Sequence, residues 1–275
     1  MAPSLPPIRP EDEAVAAKLR PNGAFDPTGV EPHVVARRDY LLRLGDDALV
    51  LGQRLSEWCG HGPALEVDIS LANLALDLVG QATLLLNEAG DGDHLAFHRD
   101  VLDFRNCLLV EQPNGDFAQT IARHLLYTTW QHMLLQRLTQ SSDKFLSEFA
   151  HKAVKEVAYH RDLASEWTVR LGDGTEESTR RMVEGLDWCW RFIPELFEVD
   201  DTLQQLIDRG IAPDPRSFKV EYRTAIGAVL NDAHLAAPAD QRAILGGRRG
   251  HHSEHLGHLL AVMQFLPRSY PDAVW

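Results

Sequence analysis

Between Glu66 and Gln81 the chain reads EVDISLANLALDLVGQ, and at helical spacing Glu66, Ser70, Asn73, Asp77 and Gln81 fall in one polar row. The rest of the circumference is apolar, and a helix that is apolar nearly all round is normally buried. An acid and amides buried in one row either ligate a metal or bond to one another. A solvated stripe is the plainer alternative.

The metal reading makes a demand that can be checked residue by residue. In a carboxylate-bridged di-iron bundle, two helices each supply a Glu and two others each supply Glu-x-x-His, all facing inward. Asp46 and Asp47 offer one ligand, and Asp77 offers another, but Gly80 stands three residues on where a His belongs. The stretch from Phe117 to Gln140 holds no Asp or Glu and offers only His124 and His132. Glu148 and His151 have the required spacing, while Glu156 and His160 are one residue too far apart but share a face. Two irons need several anionic oxygens to offset and bridge them, so an acid-free helix argues against the site. The expectation is no metal and no catalytic residue in this chain. Asn73, Asp77, Gln81, Glu156 and His160 then form a vestigial polar core, with His124, His132 or His160 closing a network on Asp77. The competing reading is a self-sufficient ferritin-like metal-dependent oxidase using Glu148, His151, Glu156 and His160.

A second constellation is RRGHHSEHLGH, Arg248 to His258. His251, His255 and His258 share a helical face with Glu254 between them, a set that could hold zinc or iron. Polar residues opening a helix, with Ser253 near the N-cap, explain the same pattern. No GxSxG elbow, GxGxxG or P-loop is present. Cys59 near His61 reads as a buried structural cysteine at a helix end.

Long helices must position these residues. Pro32 opens a helical pattern that Gly60 and Gly62 stop. A second runs from about Glu66 to Ala89, and a shorter one covers Leu95–Val101. From Asp116, a plausible N-cap with Gln119 at capping-box spacing, a third runs to about Thr139. A fourth starts at Ser141–Asp143 and ends at Leu171. Further helices are expected at Thr175–Phe197, Thr202–Arg209, Arg216–His234 and His251–Leu266. No run alternates with period 2, so the fold class is all-α: an antiparallel bundle with additional shorter helices. Residues 1–31, rich in Pro and charge, read as a flexible extended arm with a short helix at Glu11–Lys18, and 32–275 as the helical domain.

Bulk properties narrow the function. The net charge of -13, from 27 basic and 40 acidic residues, argues against a nucleic-acid partner. Cys59, Cys107 and Cys189 form no CxxC pair, which fits a reduced, cytoplasmic setting. No stretch reaches ~18 uninterrupted apolar residues, so no membrane span is expected, and no secretory signal opens the chain.

Several segments together resemble one family. RLGDDALVLGQRLSEWCGHGPALEVDISLANLALDLVGQA (Arg43–Ala82), LLVEQPNGDFAQTIAR (Leu108–Arg123), KEVAYH (Lys155–His160) and HSEHLG (His252–Gly257) are similar to the PaaC family, the non-catalytic partner in bacterial phenylacetyl-CoA 1,2-epoxidases. The likeness runs from about Asp39 to the C-terminus. It implies a ferritin-like bundle acting as a structural subunit in a multicomponent monooxygenase of aerobic phenylacetate catabolism. By the resemblance, a related catalytic subunit carries the di-iron centre, a reductase subunit passes electrons from NADPH, and the PaaC component holds no cofactor. It also implies contacts to the CoA part of phenylacetyl-CoA at Asp103, Phe104, Arg105 and Asn106, and at Gln204, Gln205 and Leu206. Arg105 suits that role, since a guanidinium matches phosphate geometry.

Overall fold

Leu41, Leu51, Leu55, Leu71, Leu74, Leu78 and Leu85, all fully buried, fill the seam between the first two long helices. The computed structural model describes residues 26–271 and residue 273. The expected short helix at Glu11–Lys18 and most of the expected arm lie outside the described residues.

Four long helices carry the architecture: α1 (Pro32–Ser56), α2 (Leu65–Ala89), α5 (Phe117–Leu138) and α6 (Lys144–Gly172). Between them lie α3 (Gly92–Phe97) and α4 (Leu108–Glu111), and after them α7 (Glu176–Trp190), α8 (Asp201–Asp208), α9 (Lys219–Asp232), α10 (Glu254–Met263) and α11 (Phe265–Ser269). No strand occurs among the described residues. Side-chain pairs fix an antiparallel ring. Gly45 of α1 meets Leu86 of α2 while Gly52 meets Leu78. Asp77 pairs with His160 and Gln81 with Glu156 across α2 and α6. Asp47 of α1 and Trp58, two residues past its end, reach Tyr127 and Thr120 of α5, Cys59 beside Trp58 is exposed and not buried as the sequence suggested, and Phe117 of α5 meets Trp167 of α6. At one end Arg37 joins Glu88 at the close of α2 to Asp143, the N-cap of α6.

The expected long helices are present, and local chemistry explains where boundaries differ. Asp116 caps α5 through the Gln119 amide, but the Gln119 side chain turns to the Pro113 carbonyl, so the capping box does not close. Thr175 and Ser178 form a reciprocal box on α7 instead. Pro194 cannot continue an α-helix, and the expected Thr175–Phe197 helix ends at Trp190, with a 3-10 turn over Ile193–Phe197. The expected Arg216–His234 and His251–Leu266 helices each divide in two. α4 lies where the sequence shows only a break.

The shorter elements cover one side of the ring. α7 and α9 pack on α5, and α8 and α10 on α1. α1 and α5 are consequently buried on nearly every face. The outward faces of α2 and α6 stay open. α2 is long and apolar enough to cross a membrane by length and composition, but its inner face is packed into the bundle.

Two glycines report how tight these contacts are. A Cβ on Gly185 of α7 would come within 2.7 Å of the Gln119 Cα, a backbone atom that cannot turn aside, whereas a Cβ on Gly80 of α2 meets nothing within 4 Å. Gly185→Ala is expected to lower stability by about 1–3 kcal/mol despite alanine's better helix propensity. Gly80→Ala is expected to raise it by up to about 1 kcal/mol. Urea unfolding of the two variants checks the opposite signs.

Candidate functional site

Asp46 and Asp47, offered by the sequence as metal ligands, are fully buried and fully engaged. Arg99 grips both oxygens of Asp46, and the Arg105 amide donates to it at 2.8 Å. Asp47 accepts from the Arg248 guanidinium at 2.7 Å, the Cys107 amide at 2.7 Å and the Tyr127 hydroxyl at 3.1 Å. Burial pushes the Asp47 carboxyl upward, and Arg248 opposes it. The same burial is the largest influence on the Arg248 cation and works against it, but the charge and hydrogen bond of Asp47, together with other neighbours including Glu195, hold the guanidinium above its ordinary range.

Two further buried acids repeat the pattern. Glu111 accepts from Asn106 at 2.8 Å and from the amide and hydroxyl of Ser253 at 2.6 and 2.8 Å. Glu195 accepts from the amides of Leu108 and Gly246 at 2.7 and 2.9 Å. Together the four carboxylates fasten the segment before α4 and the segment before α10 onto the bundle. These two lie so close that a Cβ on Gly247 would collide with the Asn106 carbonyl.

The histidine set that could have held a metal does not come together. His251 and His258 are exposed. It is His252, outside the evenly spaced set, that turns inward, bridging Glu111 and the Phe104 carbonyl through its two ring nitrogens at 2.7 and 3.0 Å. Among the described residues no group of three or more His, Cys, Asp or Glu could hold a metal ion.

The expected polar core forms in part. Asp77 and His160 meet at 3.2 Å, and Gln81 donates to Glu156 at 3.0 Å and accepts from Gln131 at 3.2 Å. The His124 ring lies tilted beside that of His160, with centroids 5.5 Å apart. Asn73 is a correction: it faces outward, displaced from the row by the helical drift between positions 73 and 81. His132 goes to Arg161 instead of Asp77. Asp77 itself keeps 40% of its side chain exposed, so the network opens at the α2–α6 surface. The four residues of the oxidase alternative do not converge on one centre. Glu148 and His151 lie on the exposed face of α6, and Glu148 pairs with Lys144. They cannot share a centre with buried His160.

The segments that the resemblance assigned to CoA come to one region. Arg105 lies 3.6 Å from Asp39, Arg43 joins Asp39 to Asp200, and Asp200 caps α8, which carries Gln204, Gln205 and Leu206. Asp103 and Gln205 are exposed, and Arg105 and Gln204 partly so. Phe104, Asn106 and Leu206 are buried, with Phe104 beneath the Arg99 guanidinium. Their side chains shape the surface from within.

This is a ferritin-like helical bundle whose interior acids are committed to its own backbone and arginines. A family model described as phenylacetic acid catabolic protein matches residues 30–275, and the chain belongs to that family. The chain is also 47% identical over 242 residues to the C subunit of 1,2-phenylacetyl-CoA epoxidase from Escherichia coli (strain K12), across 86% of this chain and 98% of that protein. The family match begins earlier than the Asp39 at which the sequence likeness becomes visible.

The buried imidazoles give a pH signature. Neither ring nitrogen of His124 has a hydrogen-bond partner among the described residues. Burial, then the neighbouring His160, push its pKa well below 6.5, and burial lowers His160 against the pull of Asp77. Below about pH 6.5 the unfolded chain binds protons that the folded chain refuses, so stability is complete above that value and falls as the pH drops. Each imidazole contributes up to about 1.4 kcal/mol per pH unit. Urea unfolding between about pH 7 and 5 is expected to show this loss, with a shallower slope in His124→Leu. An unchanged slope in that variant contradicts the assignment.

Proposed function

We propose that this chain is a non-catalytic, cytoplasmic subunit of a multicomponent di-iron monooxygenase that epoxidises the ring of phenylacetyl-CoA in aerobic phenylacetate breakdown. The name of the similar bacterial protein supports the reaction and the membership of an assembly. The commitment of Asp46 and Asp47 to arginines supports the non-catalytic role. In this reading the di-iron centre belongs to a companion catalytic subunit, NADPH acts through a reductase subunit, and this chain holds no cofactor. The residues present do not fit an iron pair: α5 carries no acid, and the acids of α1 are taken.

The observation that carries the subunit reading is the open face of α2. Leu65 is 72% exposed, Ile69 52%, Leu76 69% and Leu84 43%, along one side of a single helix. Burying such side chains yields roughly 1.5–3 kcal/mol each, and several large apolar side chains exposed on one helix face, interspersed with Asn73 and Gly80, suit an interaction surface. The occupant in this reading is the companion di-iron subunit. On the covered side of the bundle, Arg105 with Asp103, Gln204 and Gln205 offers partly exposed polar groups to the CoA moiety, and buried Phe104, Asn106 and Leu206 hold that surface in shape.

The test co-expresses this chain with the di-iron subunit of a phenylacetyl-CoA epoxidase. The double variant Ile69→Glu, Leu76→Glu is expected to leave urea unfolding of the isolated chain within about 0.5 kcal/mol. It should weaken the complex by about 2–4 kcal/mol, seen as separate elution in size exclusion. Co-elution of the variant as tightly as the parent removes α2 as the interface. Separate elution of the unaltered pair removes the subunit reading.

A further inference from the structure

A cavity of about 300 Å³ lies between α9, the 3-10 turn over Ile193–Phe197 and the loop after α9. It is apart from the polar seam and from the segments joined by Asp39 and Arg43. Its floor is apolar, built from Trp190, Phe197 and Ile226. Two cations stand on its wall, Lys219 and Arg223, one helical turn apart on α9. The ammonium of Lys219 sits 5.6 Å from the centre of the Phe197 ring, and no carboxylate lies within ion-pair distance of either cation among the described residues. Elsewhere in the fold Arg37, Arg43, Arg99, Arg248 and Arg249 each hold an acid. Asp240, on the facing loop, also lines the cavity and leaves the charge balance there at one net positive. The loop is tied down by Gln241, whose amide donates to the carbonyl and carboxylate of Asp187.

An apolar floor with an aromatic wall and two unmatched cations at the edge defines its ligand by chemistry. Ligand sites of this size are mostly apolar, with a few polar groups that fix orientation. The body of the ligand must be an aryl or short alkyl group, and its head must be an anion small enough to meet one ammonium and one guanidinium together. Both cations offer several N–H donors to such a head, and the guanidinium matches a carboxylate in a planar fork. We propose that this cavity binds a small aryl or alkyl monocarboxylate, with the apolar body on Trp190 and Phe197 and the carboxylate between Lys219 and Arg223. The proposal is independent of the subunit reading, since it uses neither the α2 face nor the CoA-assigned residues.

Gly227 supplies the test. It lines the cavity, and a Cβ there meets nothing within 4 Å. It lies inside α9, so a larger side chain extends into the empty volume while helix propensity improves. The probe is phenylacetate, followed by ligand-observed NMR on the full chain, with phenylacetamide as the neutral match. Saturable binding is expected, lost in Gly227→Leu and weakened about tenfold, or roughly 1.4 kcal/mol, in the double variant Lys219→Gln, Arg223→Gln. Phenylacetamide is expected to bind at least about tenfold more weakly than the acid. Absence of saturable phenylacetate binding overturns the proposal, as does binding that persists in Gly227→Leu. Equal binding of the amide overturns the carboxylate assignment. The charge variants alter exposed or half-exposed side chains, so they keep the question decidable if Gly227→Leu does not fold.

Discussion

Asp47 sits where water cannot reach it, and its charge is tolerable only because Arg248, the Cys107 amide and the Tyr127 hydroxyl all point at it. Much else follows from that requirement. A buried carboxylate left without donors costs several kcal/mol, so each such group dictates the path of whatever chain supplies its partners. Asp47 and Asp46 dictate the path of residues 99–107, Glu111 that of Ser253 and His252, and Glu195 that of Gly246 and Leu108. The irregular segments on this side are thereby fixed as firmly as helices. Pairs of this kind often add little net stability over an apolar replacement. What they specify is one arrangement of loops, which here includes the backbone around Arg105.

The bundle is legible in the sequence because period 3.6 survives in α1, α2, α5 and α6 whatever the loops do. Pro32, Gly60, Asp116 and Asp143 mark their ends for local reasons that tertiary contacts do not override. The roles of the acids are much less legible. Asp46 and Asp47 look the same in sequence whether they meet iron or arginine, because Arg99 and Arg248 lie 53 and 201 residues away. The one usable signal is negative: an acid-free α5. The polar row on α2 holds at Asp77 and Gln81, but helical drift carries Asn73 into solvent. In RRGHHSEHLGH the spacing favours His251, His255 and His258. The residue that turns inward is His252, chosen by Glu111, a partner that no local pattern reveals.

The two sides of the ring divide the physical tasks. On one side short helices and pinned loops bury α1 and α5 and bring the Asp103–Asn106 segment near α8. On the other, α2 presents leucines and an isoleucine to solvent, beside a polar seam in which His160 and Asp77 meet. Such a face is costly to leave bare, and the rest of the described chain makes no attempt to cover it. The bundle thus combines an interior whose buried acids anchor its own loops with an outer helix face that carries exposed apolar side chains.

The interior acids of this chain are expected to hold its own loops and no metal. Elemental analysis of the isolated chain, after anaerobic loading with ferrous iron and gel filtration, tests this directly. Iron far below one equivalent per chain is expected. A ratio of about two irons per chain, the loading of a two-metal centre, would contradict it.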